Sequence, residues 1–209
     1  MKTNSELRKD AKARMSGNWT AGVMLTLVVL IVSSLFASIS YLANNEALSL
    51  VYSIVINLFL SFPLTVGLYM AFLSFARGEE LNVSTLFGAF NRTYYKKSVV
   101  LCLLMSIYTC LWMLLLIIPG FIKSLSYSMA PYILIENPDI SAEMAIRRSM
   151  AMMNGHKMDL FLIYLGMIGL GILSALLFFI PLLWIVPYYQ VVLAKFYFSL
   201  KEEQAPVVE

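Results

Sequence analysis

Charge is scarce in this chain of 209 residues: Asp, Glu, Lys and Arg make up 13% of it, about half the share of a soluble domain, while 60% is hydrophobic. So few ionic groups cannot dress a globule of this size in a surface that water wets. Disordered chains and soluble nucleotide-binding enzymes are excluded on this count. Cysteine is almost missing too. Cys102 and Cys110 are the only two, and on one helix they stand about 12 Å apart, beyond the span of a disulfide. A secreted disulfide scaffold is therefore excluded, and both read as packing residues. There is one histidine, His156, no zinc-ligand spacing, no phosphate-cradling glycine loop, no nucleophile elbow and no carboxylate pair inside an apolar run. Hence no catalytic set, metal site or cofactor is expected, and the net charge of +3 is no sign of a nucleic-acid partner.

What is present is long apolar runs, and the mean hydropathy of +0.80 places them in lipid. Trp19 to Ala43 is the first and Leu48 to Ala76 the second, with Pro63 expected to kink it and Gly67 inside it. Ser98 to Ile118 stops at Pro119-Gly120. Phe121 to Ile135 follows, shorter and interrupted by Lys123, Tyr127 and Pro131; Leu160 to Ile180 and Pro181 to Leu200, bent at Pro187, complete the set. The expected fold is all-α: a polytopic transmembrane helical bundle with six crossings in three hairpins. The hairpins turn at Asn44-Asn45-Glu46, Pro119-Gly120 and Pro181. One integral membrane domain divides into a cytoplasmic amphipathic segment (1–18), hairpin one (19–76), an interfacial segment (77–97), hairpin two (98–136), a second interfacial segment (137–158), hairpin three (159–200) and a tail (201–209).

Basic residues orient such a protein, because Lys and Arg stay on the cytoplasmic side. Six crossings put Lys2, Arg8, Lys9, Lys12, Arg14, Arg77, Arg92, Lys96, Lys97, Arg147, Arg148 and Lys157 on one side. Lys195 and Lys201 join them, and Lys123 alone falls opposite. Both termini are thus expected in the cytoplasm. No cleavable signal is expected, since the charged start is long and the first apolar run exceeds a signal core.

The polar segments also carry helix signals. Ser5 to Met15 can be helical with Ser5 as cap and Gly17 as stop; Ser84 can cap a helix bearing Leu86, Phe87 and Phe90; Asp139 or Ser141 can cap one that ends at Gly155. A short interfacial helix before each hairpin would be a threefold repeat, echoed by Asn82-Val83-Ser84 and Asp139-Ile140-Ser141.

The stretch Leu111 to Lys123, then Tyr127-Ser128-Met129-Ala130-Pro131-Tyr132, Asn137-Pro138 and Ser149 to Lys157, with Gly17-Asn18-Trp19 and Trp184 to Tyr188, resembles a bacterial integral-membrane family, domain of unknown function 975. The likeness runs over nearly the whole chain. It implies a multipass protein of the bacterial inner membrane and implies no reaction. The membrane domains attached to some glycerophosphodiester phosphodiesterases look similar in outline, a hint toward lipid.

Polar groups inside apolar runs are the candidate sites. Ser53, Asn57, Ser61 and Thr65 recur every fourth residue and form one stripe, which serves either helix packing or a ligand path. Lys123 and Tyr127 share a face beside Ser124 and Ser128, suited either to snorkelling or to an anionic headgroup. Arg147, Arg148, His156 and Lys157 could contact anionic lipid, although they also serve as orientation signals. Gly166, Gly169 and Gly171 suggest close helix approach. The function expected is binding or transport of a lipid-like or amphipathic ligand. The alternative is a noncatalytic membrane scaffold whose partners are the bilayer, anionic lipids or another membrane protein.

Overall fold

Proline and glycine punctuate the helices, and the computed structural model, which describes residues 2–41 and 45–204, places the breaks they cause. Asn44 of the expected first turn and 205–209 of the expected tail lie outside the described residues. Among the described residues every regular element is helical. A short helix α1 (Asn4–Met15) precedes α2 (Trp19–Tyr41) and a returning rod formed by α3 (Glu46–Ile56), a π-helical turn (Asn57–Ser61) and α4 (Phe62–Arg77). Then come α5 (Val83–Leu86) with a 3-10 turn (Phe87–Phe90), the long α6 (Tyr95–Leu115), and a return in two pieces, α7 (Ile117–Tyr127) and α8 (Ala130–Glu136). The last set is α9 (Ala142–Met152), α10 (Lys157–Ala175) and α11 (Leu182–Gln204). Short helix, long helix, returning helix is thus repeated three times in element order.

Two of the three caps differ from those expected. Thr3, not Ser5, caps α1: its hydroxyl accepts the Glu6 N–H while the Glu6 carboxylate accepts the Thr3 N–H, satisfying two orphan donors at once. Asn82, not Ser84, caps α5 by accepting the Ser84 N–H at 2.9 Å. Ser141, of the two candidates, caps α9. The second break also moves. Leu116 leaves the helix (φ −158°, ψ 133°) and Pro119 falls in the first turn of α7, where its missing N–H costs nothing. Gly120 then lets the hairpin close, since a Cβ there would stand 2.5 Å from Met113 Cγ.

Pro63 accounts for the π turn. A proline cannot donate to the carbonyl four residues earlier, Phe59, and that oxygen instead accepts the Tyr95 hydroxyl of α6 at 3.1 Å. Tyr95→Phe should cost about 1 kcal/mol, read as a lower Tm in detergent; an unchanged Tm would mean that the freed carbonyl needs no partner.

Among the described residues four helices are long and apolar enough to cross a membrane: Trp19–Ser38, Glu46–Arg77, Tyr95–Leu115 and Lys157–Ala175. Their outward faces are apolar, with Leu30, Leu35, Leu50, Ile54, Leu165 and Ile172 all exposed, the surface a hydrocarbon solvent requires. The other two expected crossings differ for physical reasons. The fourth is split between α7 and α8, neither of spanning length. The sixth, α11, carries Pro187, Tyr188, Tyr189, Gln190 and Lys195 because it runs through the protein core, where Val191, Val192, Phe196 and Tyr197 are buried.

The core lies between α4, α8 and α11, and α1 docks on α11 with Leu7, Ala11 and Met15 fully buried. Of the three glycines on α10 only Gly166 meets a neighbour; a Cβ at Gly169 or Gly171 would enter open space. Those two are not packing glycines within this chain.

Candidate functional site

Two places gather polar groups, and the first follows the stripe read from the sequence. Ser53 and Asn57, with Ser61 at the end of the π turn, form one wall of a cleft of about 400 Å³; Ser49 extends it, and Ser33 of α2 faces it. The Ser53 hydroxyl donates to the Ser49 carbonyl and the Asn57 amide to the Ser53 carbonyl, both at 2.9 Å. Thr65 donates to the Ser61 carbonyl at 2.8 Å. Each of these bonds runs back to the preceding helical turn, as Ser, Thr and Asn side chains do inside a helix. Asn57 stays exposed on a face otherwise made of Ile54, Val55 and Phe59. A polar cleft opening on an apolar surface suits a molecule that is itself polar at one end and apolar at the other.

The second was not foreseen. Glu136 ends α8 with its side chain only 7% exposed, and its carboxylate is reached from two other helices. Arg77 at the end of α4 pairs with one oxygen; the Tyr197 hydroxyl donates to the other at 2.7 Å, and Lys201 reaches the same oxygen at 2.5 Å. Burial pushes the Glu136 carboxyl up, but the hydrogen bonds from Lys201, Tyr197 and Arg77 outweigh it and hold the group below the ordinary carboxylate range. Tyr69, Tyr132 and Tyr197, one from each returning helix, form a row: Tyr132 stacks on Tyr197 with ring centroids 5.3 Å apart, and Tyr69 meets Tyr132 at 5.1 Å, tilted by 59°. Beside the carboxylate, C-terminal carbonyls of α4 are capped by cations, Arg14 donating to Phe75 and Lys195 to Ala76, and Arg14 also donates to the Glu79 carbonyl just past the helix. The polar end of the molecule is therefore also its basic end. The sequence carried one signal of it, the equal spacing from Pro63 to Arg77 and from Pro187 to Lys201 (77 − 63 = 201 − 187 = 14).

The remaining expected groups are spread over the molecule. Lys123 lies over the Trp112 ring, 5.0 Å from its centroid, and Tyr127, buried beside Tyr108, also meets the Trp112 side chain. Ser124 and Ser128 donate to carbonyls of their own helix, Phe121 and Leu125, both at 2.7 Å. Ser124 alone of the four lines a separate recess with Ser106, Thr109 and Cys110. Arg147 is spent on Glu143 of the same helix at 2.6 Å, Arg148 is exposed, and His156 sits between Asp159 at 3.8 Å and Glu203 at 3.7 Å, with Lys157 next to it at the start of α10. Among the described residues no three His, Cys, Asp or Glu side chains are grouped as metal ligands.

Against known proteins, the chain matches the family described as "Protein of unknown function (DUF975)" over residues 1–123 and 113–204. No curated protein and no solved structure gives a significant match.

Proposed function

Since the chain belongs to the family described as Protein of unknown function (DUF975), which brings no reaction with it, we propose a function from the cleft itself: a multipass membrane protein that binds an amphipathic, lipid-like ligand. The polar part of the ligand lies along Ser53, Asn57 and Ser61, and its apolar part lies on the exposed faces of α2 and α3. In this reading the chain crosses six times, α7 and α8 forming a broken fourth crossing and α11 the sixth. The basic end faces the cytoplasm of a bacterial cell. The observation that carries the proposal is the polar-walled cleft between two helices whose other faces are apolar. Maintaining such a wall in hydrocarbon is costly unless something uses it.

The test is binding of a nitrobenzoxadiazole-labelled phosphatidylethanolamine to purified protein in detergent micelles. Loss of two intramembrane hydrogen bonds of about 1 kcal/mol each in the double variant Ser53→Ala/Asn57→Leu should weaken binding at least tenfold. Equal binding by a variant of unchanged Tm would sink the proposal.

A further inference from the structure

A cleft of about 530 Å³ lies between α1 and the start of α10, at the basic end and away from the serine cleft. Its lining is cationic: Ser5, Arg8, Lys9 and Lys12 of α1 recur at three- and four-residue intervals, hence on one face, and Asn4, Leu162 and Tyr188 complete the wall. Leu7, Ala11 and Met15, on another face of the same helix, anchor it to the core. The two carboxylates of α1 are engaged elsewhere, Glu6 with Thr3 and Asp10 with Lys2 at 2.7 Å. None of the ion pairs among the described residues uses Arg8, Lys9 or Lys12.

Arg8 is held without being satisfied. Its guanidinium reaches the Leu162 carbonyl at only 3.4 Å, and its Nε is buried with no hydrogen-bond partner. Gly166 makes room for it: a Cβ there would stand 2.5 Å from Arg8 Nη2 and 3.0 Å from the Tyr189 hydroxyl. A buried guanidinium N–H without an acceptor is a costly arrangement in a folded protein. An oxyanion supplies the missing acceptor, and Lys9 and Lys12 supply further charge for a group carrying more than one oxygen. Beyond the cleft α10 exposes Met158, Leu162 and Leu165, apolar side chains on which an acyl chain can rest.

We propose that Arg8, Lys9 and Lys12, on a helix seated over Gly166, form a binding site for a phosphate-bearing anion. Its occupant is a phosphate, borne by an anionic phospholipid headgroup or free in solution. The site is independent of Arg147 and Arg148 and of the serine cleft, so its failure leaves the proposed function standing.

The experiment uses the whole protein in nanodiscs of phosphatidylcholine mixed with phosphatidylglycerol, and reads retained phosphatidylglycerol by native mass spectrometry. A basic residue near an anionic surface contributes about 1 kcal/mol, roughly fivefold, so Lys9→Gln/Lys12→Gln should lower the preference for phosphatidylglycerol roughly thirtyfold. Both lysines lie outside the core, which keeps the variant folded. Gly166→Ala, which displaces the Arg8 guanidinium, should give a smaller loss, and Arg147→Gln/Arg148→Gln should change the preference less than twofold. A second arm titrates inorganic phosphate into the detergent-solubilised protein. Binding there that vanishes in the Lys9/Lys12 variant, with no lipid preference to lose, assigns the site to free phosphate. If the Lys9/Lys12 variant matches the wild type in both arms, or loses no more than the Arg147/Arg148 variant, the site does not exist.

Discussion

Replacing Glu136 by leucine is expected to be among the most damaging single changes in this protein, lowering its stability by about 2–3 kcal/mol. The carboxylate is the shared acceptor for Arg77, Tyr197 and Lys201, which arrive from α4 and α11. Arg77 and Lys201 are 41% and 56% exposed and can turn to water, so their loss is partial. The Tyr197 side chain is buried and has no such recourse. Glu143→Leu is the comparison: its pair with Arg147 lies within one helix, with side chains 54% and 67% exposed, and should be worth at most about 0.5 kcal/mol. Thermal unfolding of the two variants in the same detergent decides the matter, and equal shifts in Tm would refute the assignment. The pH dependence follows in sign. Because the folded-state pKa of Glu136 is depressed, its contribution is complete above the unfolded carboxyl pKa, about 4.3, and is lost as pH falls through the lower folded value. The wild type should therefore lose more Tm than Glu136→Leu on going from pH 6 to pH 3.

Gly67→Ala should have an effect of comparable size for a steric reason. A Cβ at this position would stand 1.8 Å from the Leu86 carbonyl oxygen and 2.8 Å from its carbon. These are backbone atoms and cannot swing aside. Either α4 or the turn α5 must move, and Leu86, fully buried, moves with it. Overpacking of this kind costs about 1–3 kcal/mol, and this overlap places Gly67→Ala at the upper end. Gly169→Ala and Gly171→Ala meet nothing within 4 Å, and both should be neutral or stabilising by up to about 1 kcal/mol through helix propensity. A glycine scan by Tm separates the two classes, and a stable Gly67→Ala protein would show that the α4–α5 contact is looser than described.

Features that depend on neighbours in sequence were legible before the structure, and features that depend on distant neighbours were not. Ser53, Asn57 and Ser61 could be placed on one wall because four-residue spacing fixes a helix face, and that wall does line a cleft. The same spacing joins Lys123 to Tyr127 but says nothing of what they meet, which is the Trp112 side chain for both and Tyr108 for Tyr127. Glu136 carries no signal in its own neighbourhood, because its partners Arg77 and Lys201 are 59 and 65 residues away. Ser5 and Ser84 were plausible caps by residue type, yet reciprocal bonding with Glu6 favours Thr3, and Asn82 stands at the residue where α5 begins to turn. The four strongest apolar runs were recognised as helices of spanning length. The breaks that leave α7 and α8 short and the interior packing of α11 depend on contacts across the fold, which hydropathy along the chain does not report.

The docking of α1 on α11 has a consequence in time. The backbone N–H of Lys2 donates to the Ser199 hydroxyl, 197 residues away, and the apolar face of α1 is buried against a helix made long after it. At about 5–20 residues per second on the ribosome, the first helix waits roughly ten to forty seconds for its berth. During that interval Leu7, Ala11 and Met15 have no native partner on α11, and the apolar face of α1 is covered only when α11 arrives.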